Sequence, residues 1–300
     1  MASNSGSLST LLGVDFKNTF VETGKELPTE YTEIVNVMDM THQNEKDIQI
    51  SGLGTMPTKN EGGQFTTDDP VLGGTKTYTA RTLGLAFETT YELWITDQSG
   101  VLQKMVQGLA RAARNREEVD GHAVLNNAHN TSFNGFTASE ALISTSHALL
   151  GGGTLANAPT TSQTFGMTYL QGMIQRFHSL TDHRGLPKLM RPDLVVVDPS
   201  NLWLAREILG SQSKPFTANN EINSMTPEGL RFMVDHYITT STHHFTLAQK
   251  SEHDLSMRYI VRPMFDSFDD PRTKSMVSTV YGFWTTSQFG SWYGIDGSGN

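Results

Sequence analysis

Cysteine is absent from all 300 residues. That excludes disulfides and thiolate metal sites, and it fits a reducing compartment. The chain has no uninterrupted apolar run of transmembrane length. Its first residues, MASNSGSLSTLLGV, lack the basic and apolar regions of a signal peptide. Charge is sparse and tilted to one side: 22 basic against 31 acidic residues give a formal net charge of -9. No basic run resembles a nucleic-acid-binding arm, and the acidic balance disfavours wholesale binding to nucleic acid. Helix-turn-helix, zinc-finger and RNP signatures are missing as well.

What is present divides the chain. Residues 1 to about 42 are polar, with scattered aromatics (Phe16, Phe20, Tyr31) and no clear stripe. They read as an extended arm with at most one short helix, lying along its own body or a neighbour. Residues 46–94 are rich in Thr and aromatics and read as strands, with turns at NEGG and VLGG. A lone two-stranded ribbon is marginal in water, so this hairpin is expected to pack on a partner surface. From Ser99 the apolar positions Leu102, Met105, Val106, Leu109, Ala112 and Ala113 follow helical spacing. The resulting helix spans roughly 30 residues, or about 45 Å at 1.5 Å per residue. Thr96, Asp97 or Ser99 is placed to cap it. Arg114–Glu118 and Arg116–Asp120 stand one turn apart and are expected to pair on a solvated or subunit-facing side. Further on, a second helix capped near Ser162 carries Leu170, Met173, Ile174 and Phe177 on one face. DLVVVD then reads as a buried strand and PSNLWLAREILGS as a third helix. LRFMVDHYI, HHFTLAQ and the aromatic-rich end read as strands.

Several motifs look chemical. Ser146 and His147 precede the triple glycine Gly151–Gly153. Adjacent side chains on extended backbone diverge, and no nucleophile elbow, P-loop or dinucleotide fingerprint surrounds them. They read as a structural loop. His122 and His129 lie two turns apart, roughly 10 Å, too far to share a zinc ion. His243 and His244 are adjacent in an expected strand and should diverge. Both pairs read as surface or interface histidines. His178 suits a helix C-terminus, near Asp182. Asp68–Asp69 and the cluster Asp266, Asp269 and Asp270 read as solvated turns, with a weak cation site at a subunit contact as the other reading. No catalytic residue, metal ligand or cofactor site emerges, and no enzyme is expected.

The segments LGLAFETTYEL, LARAARNREEVDGHAVLNNAHN, ALISTSHALLGGGTLAN, SLTDHRGLPKLMRPDLVVVDP, LAREILGSQSKPFTANNEIN and VYGFWTTSQFGSWYGI occur in that order. Their combination resembles the major capsid proteins of tailed bacteriophages, close to the Mu-like major head subunit group. The resemblance runs from about residue 75 onward. It implies an α+β, Hong Kong 97-type fold: an N-terminal arm (1–42), an E-loop hairpin (43–88), a peripheral domain with a spine helix (89–161), an axial domain (162–253), and a return to the peripheral domain (254–300).

The resemblance also implies partners: copies of the chain in hexamers and pentamers, double-stranded DNA by weak contact, a portal, scaffolding and decoration proteins, and no membrane. The chain starts almost at the arm, so either scaffolding and protease are expected as separate proteins or the scaffolding segment is missing here. The implied place is the virion, after assembly in the host cytoplasm. Lys59, Asn60, Lys76, Tyr78, Arg81, Arg114, Glu118, Phe16 and Phe20 are the candidate subunit-interface residues. Some relatives join a Lys to an Asn between subunits. Lys59, Asn60 and Lys76 do not match that chemistry, so a noncovalent shell is expected. Two other readings compete: an encapsulin-like compartment holding enzyme cargo, and a Ser146/His147 hydrolase.

Overall fold

Phe16 and Phe20 stand one helical turn apart, and that pair decides the conformation of the N-terminal segment. In the computed structural model, which describes residues 5–97, 99–213, 222–270, 273 and 275–298, the expected extended arm is a long helix, α1 (Ser5–Glu26). Both rings are buried against Leu102, Val106, Leu109 and Phe265 of the same chain. Full burial of such a side chain stabilises by about 1.5–3 kcal/mol, enough for two anchors to dock a helix with little stripe of its own.

A short helix α2 (Tyr31–Ile34) leads to strand β1 (Asn36–Asp39) and then to a ribbon, β2 (Asn44–Ile50) and β3 (Leu72–Thr79). The VLGG segment, expected as a turn, supplies the first residues of β3. Strand β4 (Arg81–Thr89) follows, so residue 88, taken as the end of the hairpin, falls inside it. After α3 (Tyr91–Thr96) comes the spine, α4 (Val101–Asn126). The Asp97 carboxylate caps it by accepting from the backbone N–H groups of Ser99, Val101 and Leu102 at 3.0–3.1 Å.

The triple glycine closes a tight hairpin between β5 (His147–Ala148) and β6 (Thr154–Leu155). Gly152 and Gly153 have φ of +95° and +88°, which side chains resist. A Cβ on Gly151 would lie 2.4 Å from the His183 carbonyl oxygen. The glycines therefore serve backbone geometry. Helix α5 (Met167–His178) starts five residues after the expected cap at Ser162, and buries Leu170, Met173, Ile174 and Phe177 as its spacing predicts. Strand β7 (Pro192–Val197), helix α6 (Leu202–Gly210) and strands β8 (Arg231–Val234) and β9 (Phe245–Ala248) follow. The KPFTANNE part of the sequence pattern lies outside the described residues. The remaining strands are β10 (Leu255–Asp270), β11 (Ser275–Trp284), β12 (Gln288–Phe289) and β13 (Ile295–Gly297).

Two sheets result. The first has the order β1-β10-β11-β4, with β12 also on β10. Strand β1 runs parallel to β10, and the other pairs are antiparallel. The second has the order β13-β9-β7-β8. Strand β13 thus joins the sheet built from residues 192–248, although its segment was expected to return to the first body. One large core, from Tyr31 to Ile295, packs against both sheets. A second core lies between α1, α4 and the first sheet.

Candidate assembly surface

The β2–β3 ribbon is firmly rooted. Tyr78 is fully buried, and the Arg258 guanidinium lies 3.7 Å from its ring centre. Arg258 also holds Glu45 at 3.1 Å and pairs with Asp47, both on β2. Burial pushes the Tyr78 hydroxyl pKa up and the Lys76 ammonium pKa down. Lys76 donates to the Asn134 carbonyl oxygen. A Cβ on Gly74 would lie only 1.9 Å from the Phe136 carbonyl oxygen. Gly74→Ala is therefore expected to lift the ribbon root and destabilise the subunit by about 1–3 kcal/mol. Urea unfolding measures the loss, and an unchanged midpoint would contradict this close approach.

Beyond the root, residues 52–70 are all exposed. This tip carries Leu53, Met56 and Phe65, which are 58%, 90% and 81% exposed. Lys59 lies 4.5 Å from the Phe65 ring centre, and Asn60 forms a turn with Gly63. Asp68 accepts from Gly54 N–H at 2.6 Å and pairs with Arg184. It is thus a pin at the base of the tip, where a solvated turn was expected. Its pKa is lowered, first by the Arg184 hydrogen bond.

Seven of the nine candidate interface residues are engaged inside their own subunit. Phe16 and Phe20 fill the second core. Lys76 and Tyr78 root the ribbon. Arg81 binds Asp120 at 2.6 Å. Arg114 pairs with Glu117 at 2.8 Å, not with Glu118. Glu118 instead accepts from the Glu30 and Tyr31 backbone N–H groups at 3.1 and 2.9 Å. Arg116 does bind Asp120, but Glu117, Glu118 and Asp120 are buried rather than solvated. Burial raises the carboxyl pKa of Glu117 and Glu118. Only Lys59 and Asn60 remain on the exposed tip. Leu53, Met56 and Phe65 were not among the candidates, although three large apolar residues stand out in a Gly-, Thr- and Asp-rich stretch.

The histidines correct the surface reading in part. His122 and His244 are fully buried, and His129 and His243 meet at 4.7 Å between ring centres. Burial pushes the pKa of His129 and of His244 down to about 4. His178 is exposed, while Asp182 accepts from Arg184 and Leu186 N–H in its own turn.

His147 is buried beneath Trp292, stacked at 4.1 Å. Its Nδ1 meets Glu140 at 2.7 Å and its Nε2 donates to the Asn157 side-chain oxygen Oδ1 at 2.9 Å. Asn157 is oriented by donating to the Leu142 carbonyl oxygen. Exposed Ser146 therefore has no free base beside it. Asp266, Asp269 and Asp270 belong to β10, paired in register with Thr279, Met276 and Ser275 of β11, rather than to a turn. No helix among the described residues is long and apolar enough to cross a membrane.

The chain is thus a two-sheet body with a rooted ribbon and an apolar exposed tip. It is similar to the capsid structure of cyanophage P-SCSP1u, with a TM-score of 0.58 at 10% identity over 90% of this chain and 87% of that one. It is similar to the capsid of bacteriophage JBD30 decorated with minor capsid protein trimers, at 0.56 and 12% identity over 71% and 92%. It is also similar to the virus-like particle from Pyrococcus furiosus, at 0.52 and 9% identity over 96% and 99%. Sequence comparison with curated proteins gives no match. The phage capsid protein family model matches residues 74–294, and the chain belongs to that family. It is a structural, major capsid protein that associates with itself in the shell of the virion.

Proposed function

We propose that this subunit has the Hong Kong 97-type organisation of the Mu-like major head group, with the β2–β3 ribbon as the E-loop. Its tip lies over an adjacent subunit and buries Leu53, Met56 and Phe65 there. The observation that carries this reading is the contrast within one hairpin: a root fixed by Tyr78, Lys76 and Arg258, and an exposed apolar tip. Residues 89–161 form the peripheral domain around α4, and residues 162–253 the axial domain that meets its copies in pentamers and hexamers. The shell encloses double-stranded DNA by weak contact, consistent with the acidic balance. It is assembled in the host cytoplasm with scaffolding, portal and decoration proteins.

Many weak contacts repeated by symmetry supply the assembly energy. Tip removal should therefore be far more damaging than any single surface change. Gly54 and Asp68 already touch, so a Gly-Ser-Gly linker in place of residues 55–67 spans the gap. Folded but unassembled subunits are expected by circular dichroism and electron microscopy. Normal closed shells from this variant would overturn the E-loop assignment. The alternative is an encapsulin-like compartment holding enzyme cargo. Nuclease-protected DNA in particles made beside the phage packaging proteins supports the head, and enzyme cargo supports the compartment.

A further inference from the structure

Glu30, His122 and Asp235 come from three separate segments: the residue before α2, the C-terminal part of α4 and the residue after β8. One donor atom from each lies within 4.8 Å of the others. His122 Nδ1 donates to the Glu118 carbonyl oxygen at 2.7 Å. A carbonyl only accepts, so Nδ1 carries a hydrogen, and Nε2 is the atom turned away from this bond. Nε2 lies 3.3 Å from Asp235 Oδ2, and both residues are fully buried. Neither atom has a hydrogen-bond partner. The other Asp235 oxygen is already used, accepting from Tyr237 N–H at 2.7 Å.

A buried imidazole nitrogen and a carboxylate oxygen facing each other need a positive charge between them, a proton or a metal ion. The surroundings increase that demand. Glu30, Glu118 and Asp235 place three carboxylates around the ring, with Glu118 Oε2 at 3.7 Å from Nδ1. The facing side chain that can carry positive charge is His236, held on Glu30 at 2.7 Å. Tyr237 stacks on the imidazole at 5.1 Å and fixes its plane.

We infer that Glu30, His122 and Asp235 bind a divalent transition-metal cation, of which zinc is the type. The His122–Asp235 spacing of 3.3 Å fits two donors about 2.0–2.2 Å from one tetrahedral zinc, which stand about 3.3–3.6 Å apart, and Glu30 offers a third donor within 4.8 Å of both. One imidazole and two carboxylates suit a borderline ion, whereas magnesium and calcium prefer all-oxygen shells. The Glu118 carbonyl orients the imidazole from behind, as outer partners of metal-bound histidines do. The ion ties the segment before α2, the spine helix and the second sheet together, so it clasps the body of the subunit.

The test uses the full chain, stripped with EDTA and titrated with Zn²⁺, with bound metal measured by mass spectrometry. One zinc ion per chain and a saturable rise in melting temperature are expected. Glu30→Gln, at a partly exposed position, should keep the fold and weaken zinc binding at least about tenfold. Asp235→Asn should abolish the rise, while its amide donates to Nε2 and leaves the metal-free protein at least as stable. Cobalt(II) should give visible absorption in the native protein and lose it in both variants. Equal zinc binding by native and variant proteins would overturn the site, as would no zinc bound at stoichiometry. Equal competition by Mg²⁺ would overturn the imidazole–carboxylate assignment.

Discussion

Asp120→Ala is expected to destabilise the subunit by about 3 kcal/mol. Asp120 lies in the middle of α4 and is 1% exposed. Its carboxylate accepts from Arg81 at 2.6 Å, from Arg116 at 3.2 Å and from the Trp284 indole N–H at 3.0 Å. It thereby ties the spine helix to β4 and β11. Removing it leaves an indole N–H unpaired in the core, which alone costs about 1–3 kcal/mol. The two arginines are nearly half exposed and regain water, so the effect stays at the lower end of the range for a broken buried pair. Arg81→Ala, at the wet side of the same contact, should cost only about 1 kcal/mol or less. Urea unfolding of unassembled subunits measures both. Equal losses from the two variants would show that the indole contact contributes little.

Acid should destabilise the subunit through His244, and His244→Phe should remove that part of the effect. The imidazole lies edge-on to Tyr169 at 4.2 Å and near Phe165 at 5.4 Å, with neither nitrogen hydrogen-bonded. Burial lowers its pKa from 6.5 to about 4. Between those values the unfolded chain binds the proton and the folded chain does not. Stability therefore falls as pH falls from about 6.5 to about 4, by about 3 kcal/mol for this group. Buried Asp254 and Asp296 have raised pKa values and act in the opposite sense, since they favour the protonated folded form. The whole-protein curve is thus a composite, and the difference between native and His244→Phe isolates the imidazole. Parallel stability curves between pH 7.5 and 4 would refute the assignment.

Local pattern made some elements legible. The spacing of Leu102, Val106 and Leu109 gave the spine helix, Asp97 its cap, and the run at residues 194–197 a buried strand. Pairing across long separations hid the rest. Helix α1 offers only Phe16 and Phe20 as anchors, and both depend on Phe265 and α4 for a surface. The acidic residues of REEVD read as lying on a solvated or subunit-facing side because nothing nearby announces Trp284, Tyr259 or the backbone of Glu30 as partners. The ribbon root depends on Arg258, which is remote in sequence. The apolar side chains of the tip, Leu53, Met56 and Phe65, went unread although they are close together in sequence, because no periodicity marks them in a Gly-, Thr- and Asp-rich stretch.

The parallel pairing of β1 with β10 sets a clock on biosynthesis. Asn36–Asp39 matches Ser256–Tyr259, so the strand emerges from the ribosome long before its partner. At about 5–20 residues per second, the delay is on the order of ten to forty seconds. Through that interval the first sheet lacks its central strand and α1 lacks Phe265. A nascent chain therefore cannot complete the first sheet, or close the second core around Phe265, until the last fifth of the sequence has emerged.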